Sequence, residues 1–225
     1  FMSKNIILGY GILGKEIVKQ TKWDYLSKTS NEIFDFKNVD SYEKIIKPYD
    51  IVINCIANTD TYSDCKKEHW DINYKAVSDL VDICNNNNQK LIHISTDYIY
   101  SGSNSNADIN DVPVHNKTWY GYSKLLGDAH VQLKSDNYLI IRCGHKASPF
   151  IHDKAFDDVI GNFDYVDVIA KLIIELINND ANGIKNVGTT LKTMYDLASK
   201  TKPNVIKTKC NNKLMPKDIS MRIKR

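Results

Sequence analysis

Short apolar runs alternate along the chain with longer segments in which apolar residues recur at helical spacing. The apolar runs are nearly continuous, which is typical of strands that are covered on both faces. The predicted strands are residues 5–8, 25–27, 50–55, 90–95, 138–142 and 183–187. The predicted helices are residues 15–21, 70–84, 120–133, 166–178 and 191–200. This alternation predicts an α/β fold built on a doubly wound parallel sheet.

The pattern changes in two places. Residues 101–117 are polar and predict a long surface loop. After residue 142 the alternation of strands and helices becomes looser, and no linker separates the two parts. We therefore expect residues 1–145 to form the sheet domain and residues 146–225 to form a small, shortened C-terminal lobe, with both parts packed into one structural unit.

The bulk composition is ordinary for a globular protein of this size. Of the 225 residues, 42% are apolar and 25% are charged, so the chain can bury a core. The net charge of +3 is small and scattered, and predicts neither a nucleic-acid partner nor a membrane partner. No apolar run approaches the roughly 20 residues of a membrane span, and the start does not resemble a signal peptide.

Cysteines and histidines give no sign of a metal site. The five cysteines are widely spaced and include no CxxC motif, so we expect neither a disulfide framework nor zinc, and a reducing cytoplasm is the expected location. The histidines likewise lack metal-ligand spacing. They are His69, His93, His115, His130, His145 and His152. No metal is therefore expected.

A glycine motif follows the first predicted strand directly and opens the first helix. Residues 9–14 read Gly-Tyr-Gly-Ile-Leu-Gly, which fits G-x-G-x-x-G. Such a turn brings backbone N–H groups and the positive end of a helix to a pyrophosphate. The sequence therefore predicts a Rossmann-like dinucleotide site. Its expected contacts are Gly9, Tyr10, Gly11, Ile12, Leu13 and Gly14.

The end of the second predicted strand bears on the choice of cofactor. An NAD site usually has a carboxylate there for the ribose 2′-hydroxyl. Here the residues are Ser27 and Lys28, followed by further hydroxyl side chains. A cation with hydroxyls suits a 2′-phosphate, so NADPH is predicted in preference to NADH.

A tyrosine and a lysine lie one helical turn apart. Tyr120 and Lys124 form Y-x-x-x-K at the start of a predicted helix, which puts both on one face. A nearby ammonium would lower the pKa of the phenol, which is near 10 when unperturbed. Thr96 ends a buried strand, at the edge of the sheet where ligands bind. Tyr122 is an alternative to Tyr120 that spacing alone leaves open.

At this point the chain resembles a known family. The glycine turn, Asp35-Phe36, Ser95-Thr96-Asp97-Tyr98 and Tyr120-Gly-Tyr-Ser-Lys124 look like an extended short-chain dehydrogenase/reductase, nearest the dTDP-4-dehydrorhamnose reductase branch. The resemblance covers roughly residues 4–145 and returns at residues 163–170 and 183–188. It implies an oxidoreductase that uses NADPH to reduce a nucleotide-linked 4-keto-6-deoxy sugar.

The resemblance also implies roles for residues. Tyr120 would donate a proton, Thr96 would hydrogen-bond the same oxygen, and Lys124 would assist Tyr120 and bind the cofactor ribose. Further cofactor contacts would be Asp35 and Phe36 at the adenine, and Cys55, Ile56 and Ala57 after the fourth strand. The expected substrate contacts are Thr59, Asp97, Tyr98, Arg142 and His145. Asn73 matches a helix residue beneath the family's site, where a structural role is equally open.

Departures from the family keep other hypotheses open. The glycine turn is one residue shorter than usual, and residues 142–164 are abbreviated, so the sugar pocket is expected to be open or completed by a partner, with a homodimer as one assembly. Tyr98 stands where related dehydratases have Glu, which argues against dehydration. The alternatives are a nucleotide-sugar epimerase of the same superfamily and a non-catalytic NADP-binding regulatory subunit.

Overall fold

The computed structural model describes residues 3–113 and 116–224; Phe1, Met2, Val114, His115 and Arg225 lie outside the described residues. The strands are β1 Asn5–Leu8, β2 Asp24–Leu26, β3 Ile51–Asn54, β4 Lys90–Thr96, β5 Tyr138–Cys143, β6 His145–Lys146, β7 Lys154–Phe156, β8 Ile160–Gly161, β9 Asp164–Tyr165, β10 Gly183–Val187, β11 Lys192–Thr193, β12 Ile206–Thr208 and β13 Asp218–Ile219. The helices are α1 Ile12–Thr21, α2 Glu43–Ile46, α3 Lys66–Trp70, α4 Ala76–Asn86, α5 Trp119–Lys134, α6 Val166–Asn178 and α7 Met194–Ala198.

Six of the strands form one parallel sheet, in the order β10-β5-β4-β3-β1-β2. From β1 the chain first moves outward to β2 and then crosses to β3 on the other side. In such a doubly wound sheet, ligands bind beyond the carboxyl ends of the strands, where the order reverses. The predicted fold class is confirmed.

Both faces of the sheet are covered by apolar side chains. On one face, α4 and Val131 of α5 pack with strand residues such as Leu91 and Ile140. On the other, Leu13 and Ile17 of α1 pack with Ile173 and its neighbours in α6. Burial on both sides explains why the strand sequences are continuously apolar.

The C-terminal part is divided between the sheet and the lobe. β10 pairs with β5 at one edge of the sheet, and α6 packs on α1, so both belong with the sheet rather than with the lobe predicted at residues 146–225. The lobe itself consists of short strands and α7 around a small apolar cluster that includes Phe150, Leu197 and Ile219. Its shortness fits the abbreviated sequence.

Two further differences from the predicted elements concern the first half. Residues 27–41 form turns and a 3₁₀ turn (Val39–Ser41), so the strand before Cys55 is the third in the chain and not the fourth, as the family resemblance implied. Residues 70–84 are not one α-helix, because a π-helical turn, Asp71–Lys75, separates α3 from α4. Within the described residues, no helix is long and apolar enough to cross a membrane.

Candidate active site

A cleft of about 260 Å³ opens at the carboxyl ends of β1, β3, β4 and β5. Its walls come from the glycine turn, the ends of these strands, the first turns of α5, and single residues of the lobe such as Phe163 and Ile219. The cleft is therefore built from elements that are far apart in the sequence, and it lies where a doubly wound sheet binds ligands.

The glycine turn forms the entrance to α1 at one wall of the cleft. Gly9 has a φ of 97°, a conformation that strongly favours glycine. A Cβ on Gly14 would overlap the Gly9 carbonyl oxygen, so the third glycine permits close packing of helix and strand. A Cβ on Gly11 would meet nothing within 4 Å, which leaves room beside the helix N-terminus. The N-cap residue of α1 is Gly11, which has no side chain to cap that N-terminus, so its N–H groups are available to an anion.

The other predicted cofactor residues lie at varied distances from this cleft. The cleft is lined by Gly11, Ile12, Leu13, Gly14, Cys55 and Ala57. Gly9 and Ile56 are not part of its lining, and Ile56 packs against the apolar cluster on one face of the sheet. The Tyr10 ring stacks on Tyr25 at 4.1 Å between centroids.

Residues that were predicted to contact the adenine and ribose of the cofactor already make contacts within the protein. Phe36 is buried in the apolar cluster near Tyr42, with the ring centroids 6.1 Å apart. Asp35 accepts from the backbone N–H of Lys37 at 3.1 Å. After β2, the Ser27 hydroxyl contacts that of Thr29 at 2.8 Å, while Lys28 is exposed.

Thr96, Tyr120 and Lys124 come together in the cleft. Thr96 is the last residue of β4, and Tyr120 lies in the first turn of α5, which the Thr118 hydroxyl caps by accepting from the Gly121 N–H at 3.0 Å. Thr96 and Tyr120 both line the cleft, and the Thr96 hydroxyl is close enough to Tyr120 to influence its ionisation. Lys124 is only 1% exposed, and its Nζ donates to the Ile94 carbonyl at 2.7 Å.

Burial controls the ionisation of these groups. It raises the pKa of Tyr120 well above its ordinary value, although the Thr96 hydrogen bond opposes the shift. Burial, and not the Lys124 ammonium, has the largest effect on the Tyr120 pKa here, so the lowering by Lys124 stays a prediction. Burial also lowers the pKa of Lys124 to about 8, against the effect of Asp128.

Arg142 is not in the cleft, which corrects its predicted contact with a substrate diphosphate. It is 1% exposed, and its Nε donates to Asp128 Oδ2 at 3.1 Å. Its Nη1 donates to the Tyr100 hydroxyl at 3.0 Å and to the Ile109 carbonyl at 2.8 Å. With these partners the guanidinium ties α5 to β5 and to the loop after β4.

Three of the other predicted substrate residues line the cleft: Asp97, Tyr98 and His145. Burial lowers the pKa of His145 to about 4, so the imidazole is neutral at neutral pH. Thr59 is exposed and lies outside the cleft, where its neighbour Thr61 takes the expected place. No three potential metal ligands come together in residues 3–113 and 116–224; His115 lies outside them.

Sequence reasoning missed several residues of the cleft. Gly144 follows β5 directly, and this position at a strand end was the signal that could have found it. Tyr62 hydrogen-bonds Tyr98 through the two hydroxyls at 2.8 Å. Ile219 comes from the far end of the chain, and no local signal marks it.

Asn73 connects two walls of the cleft. Its Oδ1 accepts from the Asn58 N–H at 2.8 Å, and its Nδ2 donates to the Asn58 carbonyl and to the Ser123 hydroxyl, both at 3.0 Å. The residue is fully buried in the π-helical turn. These contacts give Asn73 a structural role, since they hold the loop after β3 against α5.

A parallel sheet with a glycine turn and a Thr–Tyr–Lys group at its carboxyl edge defines a Rossmann-type protein of the extended short-chain dehydrogenase/reductase class. Within that class, the chain belongs to the RmlD substrate binding domain family, whose model matches residues 5–146. The resemblance noted from the motifs is confirmed by this match.

Individual relatives agree with the family. The spore coat polysaccharide biosynthesis protein SpsK of Bacillus subtilis (strain 168) is 29% identical over 227 residues, covering 88% of this chain and 78% of that protein. A dTDP-4-dehydrorhamnose reductase of Mycobacterium tuberculosis (strain CDC 1551 / Oshkosh) is 29% identical over 141 residues. That match covers 59% of this chain and 46% of the enzyme, so it spans less than half of the enzyme's length.

Solved structures share the fold. The dTDP-4-dehydrorhamnose reductase of Bacillus anthracis in complex with NADP has a TM-score of 0.84 at 21% identity, covering 99% of this chain and 91% of that chain. A dTDP-4-dehydrorhamnose reductase from Clostridium acetobutylicum has a TM-score of 0.81 at 22% identity, covering 97% and 89%. The similarity therefore extends over the lobe as well as the sheet.

Proposed function

We propose that the protein is an NAD(P)H-dependent reductase of a nucleotide-linked 4-keto-6-deoxy sugar, similar in reaction to dTDP-4-dehydrorhamnose reductases. The observation that carries this proposal is that Thr96, Tyr120 and Lys124 line one cleft beside a glycine turn. The names of the relatives, a polysaccharide biosynthesis protein and a sugar-nucleotide reductase, support the substrate class.

The residues at the glycine turn fit a dinucleotide. The open space at Gly11 and the uncapped N-terminus of α1 form a cradle for a pyrophosphate. A bound nicotinamide cofactor would supply the hydride. NADPH is the proposed form, because Ser27 and Lys28 offer hydroxyl and cationic contacts where an NAD site would carry a carboxylate.

Tyr120 is the proposed proton donor. Like a free phenol, whose pKa is near 10, the buried Tyr120 is protonated at neutral pH, so it carries the proton that a developing alkoxide needs. Thr96 would hydrogen-bond the same oxygen, and Lys124 would bind the cofactor ribose and stabilise the phenolate left by the transfer. Asp97, Tyr98 and His145 line the same cleft, where Tyr98 and His145 would contact the sugar.

The proposal extends to the location and the assembly of the protein. All five cysteines are free thiols, which suits a reducing cytoplasm. A homodimer is the proposed assembly, and the molecular mass in solution would test it.

A panel of nucleotide-linked 4-ketosugars, each offered with NADPH and with NADH, tests the function. We expect stoichiometric NADPH oxidation with at least one 4-keto-6-deoxy sugar nucleotide, slower oxidation of NADH, and none with the free sugar. Cofactor binding without turnover of any sugar would favour the regulatory-subunit hypothesis. Interconversion of sugar epimers without net cofactor oxidation would favour the epimerase hypothesis.

A further inference from the structure

The carboxyl group of Asp97 lies at the floor of the cleft and contacts Thr96. Asp97 is 3% exposed, and its Oδ1 lies 3.3 Å from the Thr96 hydroxyl oxygen. Its Oδ2 has no hydrogen-bond partner among the described side chains. This oxygen packs against Gly144, where a Cβ would overlap it. A buried carboxyl with one unpartnered oxygen is costly, and so calls for a functional explanation.

The Thr96 hydroxyl has only one proton to donate. Its oxygen already accepts from the Tyr98 N–H at 3.2 Å. When Asp97 is a carboxylate, an acceptor only, the Thr96 proton is directed at Asp97 Oδ1. When Asp97 is protonated, the carboxylic acid can donate to the Thr96 oxygen instead. The Thr96 proton then becomes available to another acceptor in the cleft.

We propose that the protonation state of Asp97 sets the direction of the Thr96 hydroxyl, and that only the protonated acid leaves Thr96 free to donate to the substrate carbonyl. This inference rests on the proposed reductase function and deepens it. Asp97 is then a positioning residue that acts through Thr96, and the enzyme's reducing activity depends on pH through a group that does not itself transfer the proton to the product.

The surroundings of Asp97 place its titration in an accessible range. Burial raises its pKa to about 6, and the Lys146 ammonium on β6 opposes that shift most strongly. The Thr96 hydroxyl and the backbone N–H groups of Asp97 and Tyr98 also favour the carboxylate. The other titratable groups that face Asp97 are Tyr120 on α5, Cys143 on β5 and the adjacent Tyr98. The protonated form, and with it the reducing activity, is present below about pH 6 and is lost as the pH rises.

The first experiment follows Asp97 without any substrate. The carboxyl groups of the full-length protein are labelled with ¹³C, and the Asp97 signal, assigned by its absence in Asp97→Asn, is titrated by NMR. We expect Thr96→Val to raise the titration midpoint of Asp97, because the carboxylate loses its hydroxyl donor. An unchanged midpoint would show that Thr96 does not donate to Asp97, and would overturn the inference.

The second experiment measures kcat against pH. In the wild type we expect a decline of up to about tenfold per pH unit above the Asp97 midpoint, as for one essential acid. Asp97→Asn should lack this decline, because the amide N–H donates to Thr96 at every pH. Lys146→Gln should move the decline to higher pH, since it removes the cation that favours the carboxylate. Asp108→Asn, which removes a carboxylate paired with Arg222 outside the cleft, is the matched control and should keep the wild-type profile.

The outcomes separate the inference from the proposed function. A wild-type decline that persists in Asp97→Asn, or that moves to lower pH in Lys146→Gln, would overturn the role of Asp97. If no nucleotide sugar is reduced at any pH, the proposed function fails. In that case the NMR titration of Thr96→Val still decides whether Asp97 controls the direction of the Thr96 hydroxyl.

Discussion

At the scale of single residues, burial decides the chemistry of the cleft more than spacing does. Tyr120 and Lys124 lie one helical turn apart, as the sequence indicates, but Lys124 donates to the Ile94 carbonyl. Burial raises the pKa of Tyr120 and lowers that of Lys124 to about 8. Both shifts follow from loss of hydration, which the spacing of the two residues in the sequence does not reveal.

Tyr120→Phe tests the proton donor. The change removes the hydroxyl and keeps the ring, so we expect kcat to fall by about two to four powers of ten, the usual contribution of a positioned acid. Cofactor affinity, measured by fluorescence titration with NADPH, should stay close to that of the wild type.

Tyr122→Phe is the matched control, because Tyr122 packs on Trp119 with ring centroids 6.4 Å apart and does not line the cleft. Its kcat should match the wild type. If Tyr122→Phe is inactive and Tyr120→Phe is active, the assignment of the donor is wrong.

At the scale of elements, the sequence predicted what local patterns determine and missed what distant contacts determine. Residues 166–178 and 183–187 were predicted with the bounds that the structure shows for α6 and β10. The π-helical turn in Asp71–Lys75 was not predicted, because its reason lies in the hydrogen bonds of Asn73 to Asn58 and Ser123. Apolar spacing carries no information about such contacts.

Gly11 and Gly14, in the glycine turn, are needed for different reasons. Gly14 permits close packing and Gly11 leaves space for the cofactor, and a pair of variants can separate these two roles. In Gly14→Ala the new Cβ meets the Gly9 carbonyl, a backbone atom that cannot move freely, so we expect a loss of about 1–3 kcal/mol in the free energy of unfolding. In Gly11→Ala the Cβ meets nothing, and its φ of −77° suits alanine. Urea denaturation measures both.

Gly11→Ala should instead weaken cofactor binding, because the methyl group occupies the space beside the uncapped helix N-terminus. NADPH titration of this variant should show a raised Kd with unfolding close to the wild type. A Gly11→Ala protein that binds NADPH normally would contradict the proposed place of the pyrophosphate.

At the scale of the whole molecule, the candidate site was predicted in part. The glycine turn, Thr96, Tyr120 and Lys124 were found because each stands at a recognisable end of a strand or start of a helix. Ile219 joins the cleft only through the path of the C-terminal segment, where the Met221 N–H donates to Asn162 Oδ1 at 2.8 Å. Long-range placement of this kind depends on tertiary packing, which produces no regular spacing of apolar residues in the sequence.

The division of the chain into a sheet domain and a lobe can be tested by unfolding. Ile173 on α6 lies within residues 146–225, yet it is fully buried in the cluster that contains Leu13 and Ile17 of α1. Ile173→Ala should lower the free energy of unfolding by about 2–5 kcal/mol, because it leaves a cavity in a shared core. The loss should reach the glycine turn as well as α6, since the same cluster contains residues of α1 and of α6.

Urea denaturation tests this, with circular dichroism and the retention of bound NADPH as two independent probes of unfolding. Both probes should show one transition, shifted together in Ile173→Ala, because α6 and β10 bind the C-terminal part into the main sheet. Leu133→Ala on α5 is the matched control: this side chain is 81% exposed, so its removal should change stability by no more than about 0.5 kcal/mol. Two separate transitions, with NADPH retained after the first, would instead mean that residues 1–145 fold alone and that the boundary predicted from the sequence is a true domain boundary.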